Sequence, residues 1–307
     1  MRENKILILG GKGLVGSSLT KHFKDINKYE VISTSRLDAD LFNKEETQEL
    51  ISTISPNIII NAAAKVGGIH ANNTNRTSFI IDNLKINLNV LESCIKYPAI
   101  KIINLGSSCI YPLNAENPIK EEEIMTGKLE PTNSPYAMAK LSAIEIGNAM
   151  KIEFGHNIIN LMPTNLYGPR DNFSEDESHV IPGLISRMHK SKMVGEEQFK
   201  IWGSGKPLRE FLYVDDLSKS IEFILSNNIT DNLLNVGSGE EVSIMNLAEL
   251  VADTINYDGN LIFDSTKPDG NPRKKIDSSK LNNYGWESSI NLKDGLKATY
   301  DWYLENF

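Results

Sequence analysis

The sequence predicts an α/β protein: a doubly wound parallel sheet in the first half, followed by a smaller mixed α/β C-terminal unit. Three observations predict it. Continuous apolar runs of strand length alternate with stretches of helical spacing as far as Thr164. The first of these runs ends in a glycine-rich turn, GGKGLVG. Beyond Thr164 the loops lengthen and the elements become short and mixed. Strands that are apolar throughout, rather than at alternate positions, are buried on both faces, as in a parallel sheet covered by helices.

The elements justify themselves in order. KILILG (5–10) is an apolar strand bounded by glycine, and GLVGSSLTKHFK (13–24) sets Leu14, Val15, Leu19 and Phe23 on one side of a helix. EVISTS (30–35) reads as a strand and KEETQELISTI (44–54) as a helix. NIIINAAA (57–64) is a strand, FIIDNLKINLNVLESCIK (79–96) a long helix, and KIINLGS (101–107) a strand. SPYAMAKLSAIEIGNAMKIEF (134–154) is a helix and NIINLMPT (157–164) a strand. The organisation expected is a dinucleotide-binding unit over 1–165 and a smaller unit over 166–307. Residues 213–238 are expected to return to the first unit, because NLLNVG (232–237) has the look of another of its strands.

Bulk properties narrow the function. The chain has 307 residues, enough for a large core, and a formal net charge of −8. That acidity argues against a nucleic-acid partner, which needs a basic surface, but leaves room for a small anion gripped by a few arginines. The only cysteines are Cys94 and Cys109, so no disulfide framework is expected and a reducing, cytoplasmic setting fits. The start lacks a signal-peptide core, no run is long enough to cross a membrane, and no Cys/His spacing suggests a metal site.

Gly10, Gly13 and Gly16 stand three apart between the first strand and the first helix. Glycine there permits a tight turn, close approach of backbone to a pyrophosphate and close packing of helix on strand, with the helix N-terminus facing the negative charge. The loop therefore reads as a Rossmann-type cradle, with Gly11, Lys12, Leu14 and Val15 in the same turn. The second strand ends in Ser35 and Arg36, where an NAD site would carry a carboxylate for the ribose hydroxyls. Arg36 and Lys12 at this point favour the 2′-phosphate of NADP, while Asp40 is placed to meet the adenine amino group. The alternative for Arg36 is a solvated surface arginine. Ligands in such sheets bind at the carboxyl ends of the strands, where Ala62, Ala63, Ala64, Ser107 and Pro163 fall.

Tyr136 and Lys140 are four apart in a helical segment and share a face. A nearby ammonium favours phenolate and so is expected to lower the tyrosine's pKa, making it a usable acid near neutrality. Ser107, at a strand end, is suited to hydrogen-bond a substrate carbonyl beside Tyr136.

Gly10-x-x-Gly13-x-x-Gly16, Ser107 and Tyr136-x-x-x-Lys140 resemble the extended short-chain dehydrogenase/reductase superfamily. Longer strings narrow the resemblance: NAAAKVGGIHANNT, LGSSCIYP, EPTNSPYAMAK, MPTNLYGPRDNF, SHVIPGLI, WGSGKPLREFLYVDD and DGNPRKKIDSSKL. Together these resemble the GDP-L-fucose synthase family across essentially the whole chain, with Lys12 where arginine is usual. The resemblance implies an NADP(H)-dependent 3,5-epimerase and 4-reductase acting on GDP-4-keto-6-deoxy-mannose. It also implies a homodimer, through the helices at 79–96 and 134–154. A relative that only reduces carbon 4 of a GDP-4-keto-6-deoxy-heptose is the alternative.

Carbons 3 and 5 flank the ketone, so their protons are acidic, and inversion needs a base on one face and an acid on the other. By the resemblance Cys109 is that base and His179 that acid, with Ser107, Tyr136 and Lys140 completing the catalytic set. Cys109 read alone would be a small buried filler. The resemblance adds Leu105, Gly106, Asn165, Leu166 and His179 to the cofactor contacts. It assigns Ser107, Ser108, Cys109, Asn165, Arg187, Trp202, Arg209 and Asp269 to the nucleotide sugar. Arg273 is a further cation of the second unit, and Arg209 has the alternative of pairing with Glu210 or Asp215. The residues themselves do not separate guanine from uracil.

Overall fold

The apolar runs of the first half become the strands of one parallel sheet. The computed structural model describes residues 4–175, 177–267 and 269–307. The chain runs β1 (Asn4–Leu9), α1 (Leu14–Asp25), β2 (Tyr29–Thr34), α2 (Lys44–Ile54), β3 (Ile58–Asn61), α3 (Ile69–Thr74), α4 (Arg76–Cys94), β4 (Lys101–Leu105), α5 (Ser134–Phe154) and β5 (Ile158–Pro163). It continues with β6 (Asn165–Tyr167), α6 (Val180–Met193), β7 (Gln198–Trp202), β8 (Leu208–Tyr213), α7 (Val214–Ser226) and β9 (Leu233–Val236). The last elements are β10 (Glu241–Ser243), α8 (Ile244–Ile255), β11 (Asn260–Asp264), β12 (Arg273–Lys274), α9 (Ser279–Asn283) and α10 (Leu292–Asn306).

The large sheet has the order β2-β1-β3-β4-β5-β9, parallel throughout. Successive side chains of a strand point to opposite faces, and the two faces bury different helices. Ile6, Ile8, Ile60, Ile103 and Leu161 pack with Leu19 and Phe23 of α1 and Ile221 and Ile224 of α7. Leu7, Leu9, Ile59, Ile102 and Ile158 pack with Ile51 of α2, Val90 and Leu91 of α4, and Met150 of α5. Leu281 and Trp286, late in the chain, join the first of these cores. A separate core lies outside the sheet, around Tyr167, Leu184, Phe199, Phe211, Leu247 and Tyr300.

Helices α2 and α5 match the sequence expectation to the residue. Helix α4 starts at Arg76, three residues early, and α3 was not anticipated. Six residues rich in Asn and Thr carry no helical periodicity; α3 is held by Asn72, whose Nδ2 donates to the carbonyls of Gly67 and Gly68. An asparagine ladder crosses the sheet. Asn61, Asn104 and Asn160 are register partners, with Asn61 Nδ2 3.3 Å from Asn104 Oδ1 and Asn104 Nδ2 3.1 Å from Asn160 Oδ1. The chain reverses its direction of winding between β1 and β3, and that switch point opens the ligand cleft of such sheets.

Candidate active site

A cavity of about 750 Å³ opens at the carboxyl ends of β1, β3, β4 and β5 and reaches the second core's loops. Its floor begins at the glycine turn. Gly10 has φ +79°, a left-handed conformation that favours glycine, and a Cβ there would meet the Ala63 backbone at 2.8 Å. A Cβ on Gly16 would fall 2.2 Å from the Gly10 carbonyl oxygen, so that glycine brings α1 onto β1. Gly13, by contrast, would put its Cβ near nothing but the Gly10 oxygen at 3.6 Å. It caps α1, whose first turn holds no acidic residue. This open backbone cradle at a helix N-terminus fits a dinucleotide pyrophosphate.

One end of the cavity is lined by Lys12, Ser35, Arg36, Asp40 and Phe42. The Arg36 guanidinium lies over the Phe42 ring, 5.2 Å from its centroid. Asp38 accepts from the Ser35 N–H at 2.7 Å and from its Oγ at 2.9 Å. Those bonds, with Lys12 nearby, hold its carboxyl below the usual range. The acid next to the strand end is therefore turned into the backbone, and Lys12 and Arg36 supply the charge. That arrangement suits a 2′-phosphate.

The other end carries the catalytic candidates. Ser107 ends the loop after β4, and its Oγ accepts from the Cys109 N–H at 3.2 Å, capping a short 3-10 turn over Ser108–Ile110. The turn aims the thiol into the cavity rather than the core, whereas Cys94 is wholly buried and its thiol is pushed up to about 12. Tyr136 and Lys140 stand on α5, fixed at its start by Glu130, which accepts from the Asn133 N–H at 2.9 Å. Ser107, Ser108, Cys109, Tyr136, Lys140 and His179 all line this one cavity.

The tyrosine's electrostatics differ from the sequence expectation. Burial pushes the Tyr136 phenol up, the neighbouring Cys109 adds to this, and a hydrogen bond with Ser107 draws it partly back. Lys140 does not offset this, because its Nζ donates to the Leu105 carbonyl at 2.8 Å and lies 5.7 Å from the Tyr136 ring centroid. Burial brings Lys140 itself down to about 8. Tyr136 thus stays protonated, as a proton donor should. Desolvation also lowers the His179 imidazole.

Lys12, Leu14, Val15, Ala62, Ala63, Ala64, Leu105, Gly106, Pro163, Asn165 and Leu166 line the cavity too, and so does Arg209 from β8. The amide of Asn165 is committed to the Glu210 carbonyl at 2.8 Å. Five expected contacts lie outside the lining. Gly11 packs on β2, where a Cβ would strike Ser33 Oγ, and Gly16 serves packing as above. Arg187 donates from Nε to the Gly183 carbonyl at 3.2 Å and lies over the Phe199 ring. Trp202 is 65% exposed. Asp269 accepts from the Ser204 N–H at 2.6 Å and from its Oγ at 2.7 Å, clamping the turn after β7. Arg273 is bound by Glu241, Nε to Oε1 2.8 Å and Nη2 to Oε2 2.5 Å.

Among the ionisable side chains of the cavity that sequence reasoning missed are Asp171 and Lys274. Asp171 lines it with Oδ2 buried and without a hydrogen-bond partner among the described residues, and burial raises its carboxyl to about 7. Lys274 approaches Cys109, Nζ to Sγ 3.4 Å. Nothing distinguishes Lys274 from its basic neighbours until strand β12 turns alternate side chains apart.

The family model described as "NAD dependent epimerase/dehydratase family" matches residues 6–237. GDP-L-fucose synthase 1 of Arabidopsis thaliana is 46% identical over 99% of this chain and 94% of its own length. A GDP-L-fucose synthetase structure from Naegleria fowleri, bound to NADP, has TM-score 0.90 at 30% identity, covering 100% of this chain and 95% of that one. The GDP-6-OMe-4-keto-L-xylo-heptose reductase of C. jejuni has TM-score 0.93 at 28% identity, covering 100% and 99%. The cradle, the serine–tyrosine–lysine cluster and these likenesses over nearly the full length lead to one conclusion: the chain belongs to the NAD dependent epimerase/dehydratase family, in its GDP-L-fucose synthase branch.

Proposed function

We propose that this chain is an NADP(H)-dependent nucleotide-sugar oxidoreductase that epimerises carbons 3 and 5 of GDP-4-keto-6-deoxy-mannose and reduces carbon 4, giving GDP-L-fucose. The observation that carries the reading is that a thiol, Cys109, and an imidazole, His179, share one cavity with the Ser107–Tyr136–Lys140 cluster. The pair supplies the base and the acid that inversion beside a ketone needs. The nearly full-length likeness to a plant GDP-L-fucose synthase supports the GDP sugar as substrate.

The chemistry assigned to the residues follows from acid–base logic. Ser107 and Tyr136 hold the carbonyl oxygen, so that negative charge developing there is met by donors already in place. Cys109 takes a proton beside the ketone, and His179 returns one on the opposite face. Gly10, Gly13, Lys12 and Arg36 hold the dinucleotide, which when bound supplies the hydride for carbon 4. Tyr136 then gives its proton to the carbon-4 oxygen, and Lys140 positions the cofactor side of the cluster. Arg209 faces the substrate's phosphates, with Arg187, Trp202 and Asp269 further out on the same nucleotide.

The division of labour proposed is a cofactor unit of residues 1–165 with 213–238, and a substrate unit from the rest of 166–307. The separate cores support it, with the segment around Leu281 and Trp286 belonging to the first. A homodimer through α4 and α5 is supported by Ile81, Leu88 and Met138, large apolar side chains left 43–47% exposed on those helices. No helix among the described residues is long and apolar enough to cross a membrane. With two free cysteines, a cytoplasmic setting fits.

The second reading is a carbon-4 reductase for a GDP-4-keto-6-deoxy-heptose, favoured by the close match to the C. jejuni reductase fold. One experiment separates the two: NADPH and GDP-4-keto-6-deoxy-mannose in deuterated water. Product carrying deuterium at carbons 3 and 5 supports the bifunctional reading, and reduction without label supports a reductase. Turnover of the heptose analogue alone overturns the hexose assignment. Tyr136→Phe is expected to abolish reduction while cofactor binding survives.

A further inference from the structure

Three consecutive cations, Arg273, Lys274 and Lys275, occupy and follow β12, which pairs in parallel with β8. Extended backbone sends alternate side chains to opposite sides. Arg273 goes to the Glu241 carboxylate, and Lys275 Nζ to the Gly239 carbonyl at 2.7 Å. Lys274 points the other way, into the cavity, and its Nζ meets the Cys109 sulfur at 3.4 Å. Among the described residues this is the one hydrogen bond the ammonium makes, and no carboxylate pairs with it. A lysine left with a thiol for its partner is a counter-charge without a carboxylate to serve.

The surroundings of the sulfur agree. From α5 it faces Tyr136, a phenol, and from β8 Arg209, which lines the same cavity. Ala71 of α3 and Phe79 of α4 offer it only apolar surface. His179 faces the same cavity from the loop before α6. Asp269 lies near Arg209 but is bound to Ser204. The field at the thiol is therefore positive, set by Lys274 in contact and Arg209 behind it. A cation beside a thiol favours the thiolate, which is the nucleophilic and basic form.

We propose that Lys274 is a positioning residue for epimerisation: its ammonium holds the Cys109 sulfur as a thiolate, aimed into the cavity, before substrate arrives. The proposal rests on the reading of Cys109 as the base. In the step it prepares, the C–H bond beside the ketone breaks, an S–H bond forms, and the electron pair moves to the carbon-4 oxygen. A proton returned on the opposite face restores the C–H bond, and the thiol resets by losing its proton to water. Reduction does not use the thiol, so it does not need Lys274.

The test compares the full-length wild type, Lys274→Met, Lys274→Arg and Cys109→Ser. First, without substrate, alkylation of Cys109 by iodoacetamide at neutral pH is followed by peptide mass spectrometry, with buried Cys94 as the internal control. Loss of the ammonium is expected to slow it by about tenfold or more, and Lys274→Arg to restore most of the rate. Second, the ultraviolet absorbance of the thiolate, measured as the difference from Cys109→Ser, is expected to fall in Lys274→Met. Third, deuterium exchange at carbons 3 and 5 is expected to lose kcat, while reduction of the already epimerised ketone keeps its rate. Unchanged alkylation and absorbance in Lys274→Met overturn the proposal, as does a rise in KM for the nucleotide sugar with kcat intact, which would make Lys274 a phosphate ligand. If Lys274→Met slows alkylation but Cys109→Ser leaves exchange untouched, the ion pair stands and the assignment of Cys109 as base fails.

Discussion

Gly68 offers a perturbation that acts on His179 without touching the chemistry. It caps α3 with φ −65°, so alanine there costs no backbone strain. Space is what forbids it. The Gly68 N–H donates to the Glu177 carbonyl at 2.9 Å, and a Cβ on Gly68 would lie 2.4 Å from the Ser178 carbonyl oxygen. His179 is the next residue. Ordinary contact begins at 3.4 Å, so in Gly68→Ala the loop carrying His179 must retreat by about 1 Å. A misplacement of that size costs roughly 100-fold where a reacting group must be aligned. Overpacking also costs about 1–3 kcal/mol of stability, which a protein of this size tolerates. The assay follows solvent-deuterium incorporation at carbons 3 and 5 by NMR, beside single-turnover NADPH oxidation with the already epimerised ketone. Exchange should fall about 100-fold while hydride transfer changes by only a few-fold. Equal losses in both steps, or none in exchange, would refute the reasoning.

Other predictions test the rest of the cavity and the sheet that carries it. Arg36→Ala removes a charged donor from the 2′-phosphate end; NADPH affinity should drop by about 1.5–3 kcal/mol, roughly tenfold to a hundredfold, with NADH binding unchanged, as read by fluorescence titration. Lys140, brought down to about 8 by burial, loses its charge as pH rises through that value, so kcat/KM for NADPH should decline above pH 8. In Lys140→Arg the residual activity should lack that limb, because guanidinium keeps its proton. Asn104→Leu strands the Asn160 Oδ1 and half the donors of Asn61 inside the sheet. Urea denaturation should register a loss of about 1–3 kcal/mol per stranded group, and an unchanged midpoint would remove the ladder from the account of stability.

Much of this molecule was legible in the sequence, because the signals concerned are local. The apolar runs around Ile6–Leu9 and Ile58–Ile60 are buried whatever follows them, and helices 44–54 and 134–154 carry their own periodicity and caps. The glycine spacing specifies a turn, and four residues along a helix put Tyr136 and Lys140 on one face. Tertiary structure decided how these pieces meet. It turned Lys140 to the Leu105 carbonyl, so burial rather than the ammonium governs the phenol of Tyr136. It set Gly68 against Ser178, more than a hundred residues away in the chain, and so fixed where His179 stands. Among the adjacent cations Arg273, Lys274 and Lys275, pairing of β12 with β8 sent the middle one alone to Cys109. A side chain's chemistry is written in its own letter, but its neighbours across the cavity are chosen by strand pairing and loop contact, which no local pattern encodes.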